Sequence, residues 1–385
     1  MKEITSEARL TFAEATSIIV GHGVGSGILA VPYLASRNTW WDIIWIIALV
    51  YFVNLLMHYM ITELSYNNSG AQFIKCLENE LFTGKAKKIV TWIAFGLLGL
   101  SVLANVSSFV SGAGAVFNAW FGIPDWAGML LFFILAALVV LFGMKLVGIA
   151  EKISVWAMIG VIIVLLVATL KSPLSPLPCE FHASSNLLAL YSMVSFSLSA
   201  VMSVPQVVKG LNGDAKRVRR AIATGTGINV GLILLITTMT LIGAGSAITQ
   251  NGALVDLSAH LGGWVSVVGY FFSLLALATS FWANTLNLRD IVHEQTNMGL
   301  RKSYLISCIP SVLLALFGLQ TFVGFTRIAS VIQVVTGIGI IVSYNRSRKR
   351  EDESLICGWS GTLPFQIIVV ISSVLATVGA LAKVR

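Results

Sequence analysis

Four glycines stand within seven residues at Gly21-His22-Gly23-Val24-Gly25-Ser26-Gly27, inside an otherwise apolar stretch. Each glycine costs a helix interior about 1 kcal/mol against alanine, so this spacing predicts an unwound backbone. Unwinding frees N–H groups around Gly25 to Ile28, at the start of the next helical segment. That positive dipole end suits a carboxylate. A second polar interruption, Ser195-Phe196-Ser197-Leu198-Ser199, lies in another apolar stretch. Freed carbonyls there suit an ammonium group. The chemistry implied is the holding of a zwitterion by backbone at two interrupted helices.

The two interruptions echo one another. Ser26-Gly27-Ile28-Leu29-Ala30-Val31-Pro32 recurs loosely as Ser199-Ala200-Val201-Met202-Ser203-Val204-Pro205. The echo points to an inverted repeat, with the substrate site at the repeat interface. Close helix packing through Gly21 and Gly25 is the structural alternative. His22 is read as the only histidine near the middle of a span, suited to carry a proton or to bind substrate. Its alternative is a neutral histidine bonded to a neighbouring helix. Thr279-Ser280 offers two adjacent hydroxyls for a dehydrated sodium ion. Asn105, Ser107, Ser108 and Ser111 form a polar patch on a third apolar segment. The substrate-binding candidates are therefore His22, Gly23, Gly25, Ser26, Gly27, Asn105, Ser108, Ser195, Phe196, Ser197 and Leu198. The ion-coupling candidates are His22, Thr279 and Ser280.

Covalent catalysis has no support in these residues. Val24-Gly25-Ser26-Gly27 lacks the glycine two residues before serine of a G-x-S-G motif, and no H-E-x-x-H occurs. No organic cofactor is implied; the only metal in view is sodium at Thr279 and Ser280. A channel would need a pore loop or rings of charge, and neither is evident. A sensor that binds an amino acid without moving it would share the same site.

The elements that must position these residues are transmembrane helices. Of the 385 residues, 56% are hydrophobic and 11% charged, against roughly a quarter charged in a soluble domain. Lipid is the expected solvent. Eleven segments approach the roughly 20 apolar residues that span a bilayer. They are Phe12–Ala35, Trp41–Leu64, Ile89–Phe117, Trp126–Phe142, Ile153–Leu170, Leu187–Val208, Ala221–Ile242, Trp264–Leu288, Tyr304–Leu319, Phe322–Tyr344 and Pro364–Leu381. The weakest division is Gln320-Thr321. The loops on one side, counted with the N-terminus, hold 20 of the 25 Lys and Arg residues. The positive-inside rule then makes the N-terminus cytoplasmic and the C-terminus extracytoplasmic. The net charge of +8 becomes an orientation signal facing anionic lipid, not a nucleic-acid surface. No cleavable signal peptide is expected. Cys76, Cys179, Cys308 and Cys357 have neither metal spacing nor a disulfide pattern. Glu63 and Arg327 are read as snorkelling or paired charges near span ends.

The motif Gly-x-Gly-x-Gly-Ile-Leu-Ala-x-Pro in the first span resembles the aromatic and hydroxy amino-acid permeases of the amino acid–polyamine–organocation superfamily. The likeness continues through Ser203-Val204-Pro205-Gln206, a basic turn and Arg220-Ala221-Ile222, and so covers nearly the whole chain. The resemblance implies an all-α LeuT-type fold in a single transmembrane domain. Inverted repeats would cover about 10–170 and 185–344, and one extra helix 362–382. It implies alternating access, with substrate held between the first, third, sixth and eighth spans. It also implies import of an aromatic or other neutral amino acid coupled to protons, or alternatively to sodium. By position, Gly25, Ser26 and Gly27 would meet the carboxylate, and Ser195 to Leu198 the amine. The chain departs from the family at Ser197-Leu198-Ser199, where a glycine-rich break is expected. The expected partners are the amino acid and the bilayer.

Overall fold

The computed structural model describes residues 9–24, 26–180, 183–245, 248, 256–257, 260–318, 333–349 and 356–384. Gly25, Gln320-Thr321 and Arg327 lie outside the described residues. The described elements are helical: α1 (Phe12–Val24), α2 (Ser26–Ala35), α3 (Trp40–Asn67), α4 (Phe73–Glu80), α5 (Lys87–Phe121), α6 (Asp125–Leu141), α7 (Met144–Leu170), α8 (Ser184–Leu198), α9 (Val204–Gly210), α10 (Ala215–Ala244), α11 (Gly263–Thr296), α12 (Leu300–Leu316), α13 (Gln333–Arg348) and α14 (Leu363–Leu381). Short 3-10 turns occur at Val201–Ser203 and Gly358–Gly361. Seven helices among the described residues are long and apolar enough to cross a membrane, with α8 and α9 counted through their interruption. Asp125–Leu141 is a shorter apolar helix.

Local chemistry sets the helix ends. Thr39 and Asp42 form a reciprocal capping box at the start of α3, with the Asp42 N–H donating to Thr39 Oγ1 at 3.1 Å. Asp214 accepts from the Arg217 N–H at 3.0 Å and starts α10. Gly122 closes α5 in the left-handed region, φ 67°, where glycine meets no Cβ penalty.

Several helices overrun their apolar stretches. α7 begins at Met144, nine residues before the expected Ile153, and α11 continues to Thr296 beyond Leu288. A span written from hydropathy stops at the first charges, whereas the hydrogen-bonded helix continues for as long as one face stays packed. α4 is a short helix in the expected loop 67–88, and it buries Phe73, Ile74, Cys76 and Leu77. All four cysteines are free. Glu63 is buried, accepting the Cys357 N–H at 2.8 Å and facing Arg348 at 3.4 Å.

α1 lies at the centre, packed against α7, α10 and α11. Gly225 of α10 allows that approach: a Cβ there would come within 2.9 Å of the Thr16 carbonyl oxygen and within 2.7 Å of Ile19 Cβ. α5, α6, α11 and α12 share one apolar cluster that includes Phe109, Phe132 and Phe281. Outward faces of α6 and α7 carry exposed Ile134, Leu135, Trp156 and Ile163, as lipid-facing helices require.

Candidate functional site

The segments that carry the two expected interruptions lie side by side, since α1 packs against both α8 and α9. In the first, Gly25 lies outside the described residues. α1 remains helical through Gly21 and Gly23 to Val24, and Ser26 and Gly27 open α2. Gly21 and Gly23 serve close packing. A Cβ on Gly23 would crowd Asn229 of α10 and come within 2.6 Å of the Ser197 carbonyl oxygen of α8. A Cβ on Gly21 would run into the carboxyl group of Glu151 on α7.

The second interruption falls later than expected. α8 is helical through Ser195, Phe196, Ser197 and Leu198, and the backbone leaves the helix at Ser199 (ψ 117°) and Ala200 (φ −124°, ψ 25°). Ser197 Oγ donates to the Met193 carbonyl at 2.7 Å. A serine that bonds back to its own turn does not unwind it. The break is held from α3: the Ala200 N–H donates to His58 Nε2 at 2.9 Å, and Thr226 Oγ1 lies 3.5 Å from His58 Nδ1. His22 is therefore not the only histidine at this depth. His58 is fully buried, and its signal was Asn54 and His58 one turn apart in an apolar span.

His22 Nδ1 lies 2.9 Å from Ser203 Oγ, which accepts from Asn287 Nδ2 at 3.2 Å. Ser280 Oγ donates to the Gly21 carbonyl at 3.0 Å and ties α11 to α1. Thr279 Oγ1 instead donates to Ala276 of its own helix at 3.0 Å. The adjacent hydroxyls do not act as a pair toward the first break.

A cavity of about 120 Å³ lies between these elements, well above the roughly 10–15 Å³ that one water needs. Of the sequence candidates, His22, Gly23, Asn105, Ser195, Phe196 and Ser280 line it. Ser108 does not; it is buried and donates to the Asn105 carbonyl at 2.7 Å. Ser197, Leu198 and Thr279 are also outside its lining. The sequence reading missed Val53, Asn54 and Met57 of α3, Asn284 of α11, Thr336 of α13, and Val369, Ser372 and Ser373 of α14. The cavity thus reaches past the first, third, sixth and eighth spans to α3, α13 and α14. Asn105 Nδ2 donates to Asn284 Oδ1 at 3.2 Å, and Asn54 Nδ2 to the Val50 carbonyl at 3.1 Å. The other oxygens, Asn54 Oδ1 and Asn105 Oδ1, are buried acceptors without a donor. Walls of mixed character, with Val53, Met57, Leu98 and Phe109 beside Asn54, Asn105, Ser372 and Ser373, suit a small amphipathic ligand. Among the described residues, no group of three or more His, Cys, Asp or Glu is placed to hold a metal.

Known proteins share this fold. Mhp1, a nucleobase-cation-symport-1 family transporter seen closed with bromovinylhydantoin bound, superposes with TM-score 0.70 at 12% identity, over 98% of this chain and 92% of that one. MhsT in complex with L-phenylalanine superposes with TM-score 0.67 at 14% identity, over 97% and 100%. These likenesses give the fold, an all-helical LeuT-like transporter architecture. Tryptophan-specific transport proteins of Haemophilus influenzae and Pseudomonas aeruginosa are each 25% identical, over 94% and 96% of this chain respectively and 94% of each relative. The tryptophan/tyrosine permease family matches residues 9–379. The chain belongs to the tryptophan/tyrosine permease family and is a multi-pass membrane protein of amino-acid transport, not an enzyme.

Proposed function

We propose that the protein imports an aromatic amino acid, tryptophan foremost, by proton-coupled alternating access. The observation that carries this reading is the cavity between α1, α3, α5, α8 and α11, with mixed apolar and polar walls and two buried amide oxygens that lack donors. Asn54 Oδ1 and Asn105 Oδ1 fit an ammonium or an indole N–H, while Phe109, Phe196 and Met57 fit an aromatic ring. The substrate carboxylate meets the start of α2 at Gly25, Ser26 and Gly27, where helix N–H groups favour an anion. The chain crosses the cell membrane eleven times, with the N-terminus cytoplasmic and the C-terminus outside, as the basic loops direct. Repeats over about 10–170 and 185–344, with an extra helix at 362–382, provide the two moving halves. The names of the relatives favour tryptophan. Thr279's bond within its own helix favours the proton over sodium.

The test is uptake into proteoliposomes. Labelled tryptophan, tyrosine, phenylalanine and serine are presented under separately imposed proton and sodium gradients. Accumulation of tryptophan on an inward proton gradient, competed by the other aromatic amino acids, is the expected result. Accumulation on a sodium gradient alone, at equal pH and clamped potential, would overturn the proton reading. Absence of saturable uptake of any member would overturn transport of this substrate class.

A further inference from the structure

Glu151 is the charged side chain that the cavity does not explain. It is fully buried in α7, and neither carboxyl oxygen has a hydrogen-bond partner. It faces Gly21 of α1 so closely that a single added carbon would collide with it. Gly21 is next to His22, which lines the cavity, and its carbonyl accepts from Ser280, which lines it too. One turn of α1 backbone therefore separates the carboxyl group from the substrate site.

The charged and titratable groups on the elements packed against α7 are committed elsewhere or stand at helix ends. On α1, Glu14 pairs with Lys145 and His22 with Ser203. On α11, Arg289 pairs with Asp290 and Glu294 with Lys209, and His293 Nδ1 meets the Met298 carbonyl in the last turn. On α10, Lys216, Arg217, Arg219 and Arg220 stand in the first turns, with Arg219 over the Tyr59 ring at 5.0 Å. Asp125 starts α6, at the helix end that lies away from Met144. Among the described residues, no ammonium or guanidinium meets Glu151. A buried carboxylate without donor or counter-charge is unfavourable, and a proton on the group removes that cost.

We propose that Glu151 carries the coupling proton, taken up with substrate on one side of the membrane and released on the other. This inference rests on the proton-coupled reading above. The step is a proton transfer only: the carboxylate gains one H⁺ from the outer solution to become the neutral acid and returns it to the inner solution. Neutral, the side chain lets α1 and α7 pack as they do here. Ionised, it calls for water or a cation and parts them at Gly21. The charge of one residue thereby sets the spacing of the central helix, whose neighbouring residues form the substrate site.

The experiment compares wild type, Glu151→Gln, Glu151→Asp and Glu14→Gln in proteoliposomes with labelled tryptophan. An inward gradient of about one pH unit supports roughly tenfold accumulation at one proton per substrate. Wild type and Glu14→Gln should approach that ratio. Glu151→Gln, a permanent mimic of the neutral acid, should fall to about unity. It should still exchange internal for external tryptophan, at a rate that no longer varies with pH. Glu151→Asp should recover part of the accumulation. Full accumulation by Glu151→Gln would overturn the proposal while leaving proton coupling intact. A wild type that fails to accumulate on the pH gradient would overturn the coupling reading and this proposal together. Should Glu151→Gln neither accumulate nor exchange, the wild type decides by carbodiimide labelling, which modifies protonated carboxyl groups. Label at Glu151 that rises as pH falls, in step with loss of accumulation, supports the proposal; label independent of pH overturns it.

Discussion

Two glutamates occupy successive rungs of the same helix pair and are treated in opposite ways. Glu14 of α1 reaches across to Lys145 of α7 at 2.6 Å and also accepts the Thr11 N–H at 2.8 Å. Seven residues along α1, Gly21 faces Glu151 of α7, which has no hydrogen-bond partner among the described residues. At 1.5 Å per residue the rungs are about 10 Å apart. The first acid is a fastener: its charge is balanced, and nothing about the fold changes that balance. The second holds apart two helices that need to be close, unless its charge is removed. One interface thus contains a fixed point and a point whose packing depends on ionisation.

The largest expected effect comes from closing the gap at the second rung. Gly21→Ala places a carbon against the Glu151 carboxyl and should destabilise the protein by about 1–3 kcal/mol, the usual cost of overpacking. Thermal unfolding in detergent measures it. In a Glu151→Ala background the same change should cost less than half as much, because the obstructing group is gone. Equal costs in both backgrounds would separate Gly21 from Glu151 and break the comparison.

Next is a change of opposite sign at the two rungs. Glu151→Met replaces an unpartnered buried acid with an unbranched apolar chain. It should raise stability by about 1–2 kcal/mol, since a buried polar group without hydrogen bonds costs that much. Glu14→Met should lower stability, because it strands Lys145 and the Thr11 N–H. If both substitutions destabilise, Glu151 has a partner in the folded protein that its surroundings do not reveal.

Neither rung stands out in the sequence. Apolar length marked the long membrane-crossing helices among the described residues, and the serine cluster fell within a turn of the break at Ser199 and Ala200. Glu151 was hidden because hydropathy begins the fifth span at Ile153 and assigns Gly143–Lys152 to a loop. Its helical spacing tells more. Val147, Gly148, Glu151, Ser154, Val155, Met158 and Ile162 follow the 3.6-residue period and are all buried, whereas Lys145 and Lys152 fall off that stripe. An acid on the buried stripe of a span is a functional signal. The misplaced second break has a similar cause. Ser197 in sequence reads as a helix breaker, but its hydroxyl bonds back to Met193. The true break depends on His58, 142 residues away, and no local pattern encodes that contact.

A smaller effect sharpens the first rung. The Lys145 side chain is 44% exposed while Glu14 is buried at 4%, so solvent screens much of their attraction. A double-mutant cycle of Glu14→Gln and Lys145→Met should give a coupling of about 0.5–1 kcal/mol, the range for a partly exposed pair. A value well above that range would make this rung a dominant clamp on the α1–α7 interface and weaken its contrast with Glu151.

The smallest effect is the response of that coupling to salt. Raising ionic strength from about 0.1 M to about 1 M shortens the screening length from about 10 Å to about 3 Å. The Glu14–Lys145 coupling should then fall by roughly half, because one partner stands in solvent. The stability gain of Glu151→Met should stay the same, since the acid is enclosed by protein and faces no counter-charge. The cycle and the single substitution are repeated at both salt concentrations, with unfolding midpoint as the readout. A gain for Glu151→Met that shrinks with salt would mean that ions reach the second rung, and the carboxyl would then be screened in place without needing a proton.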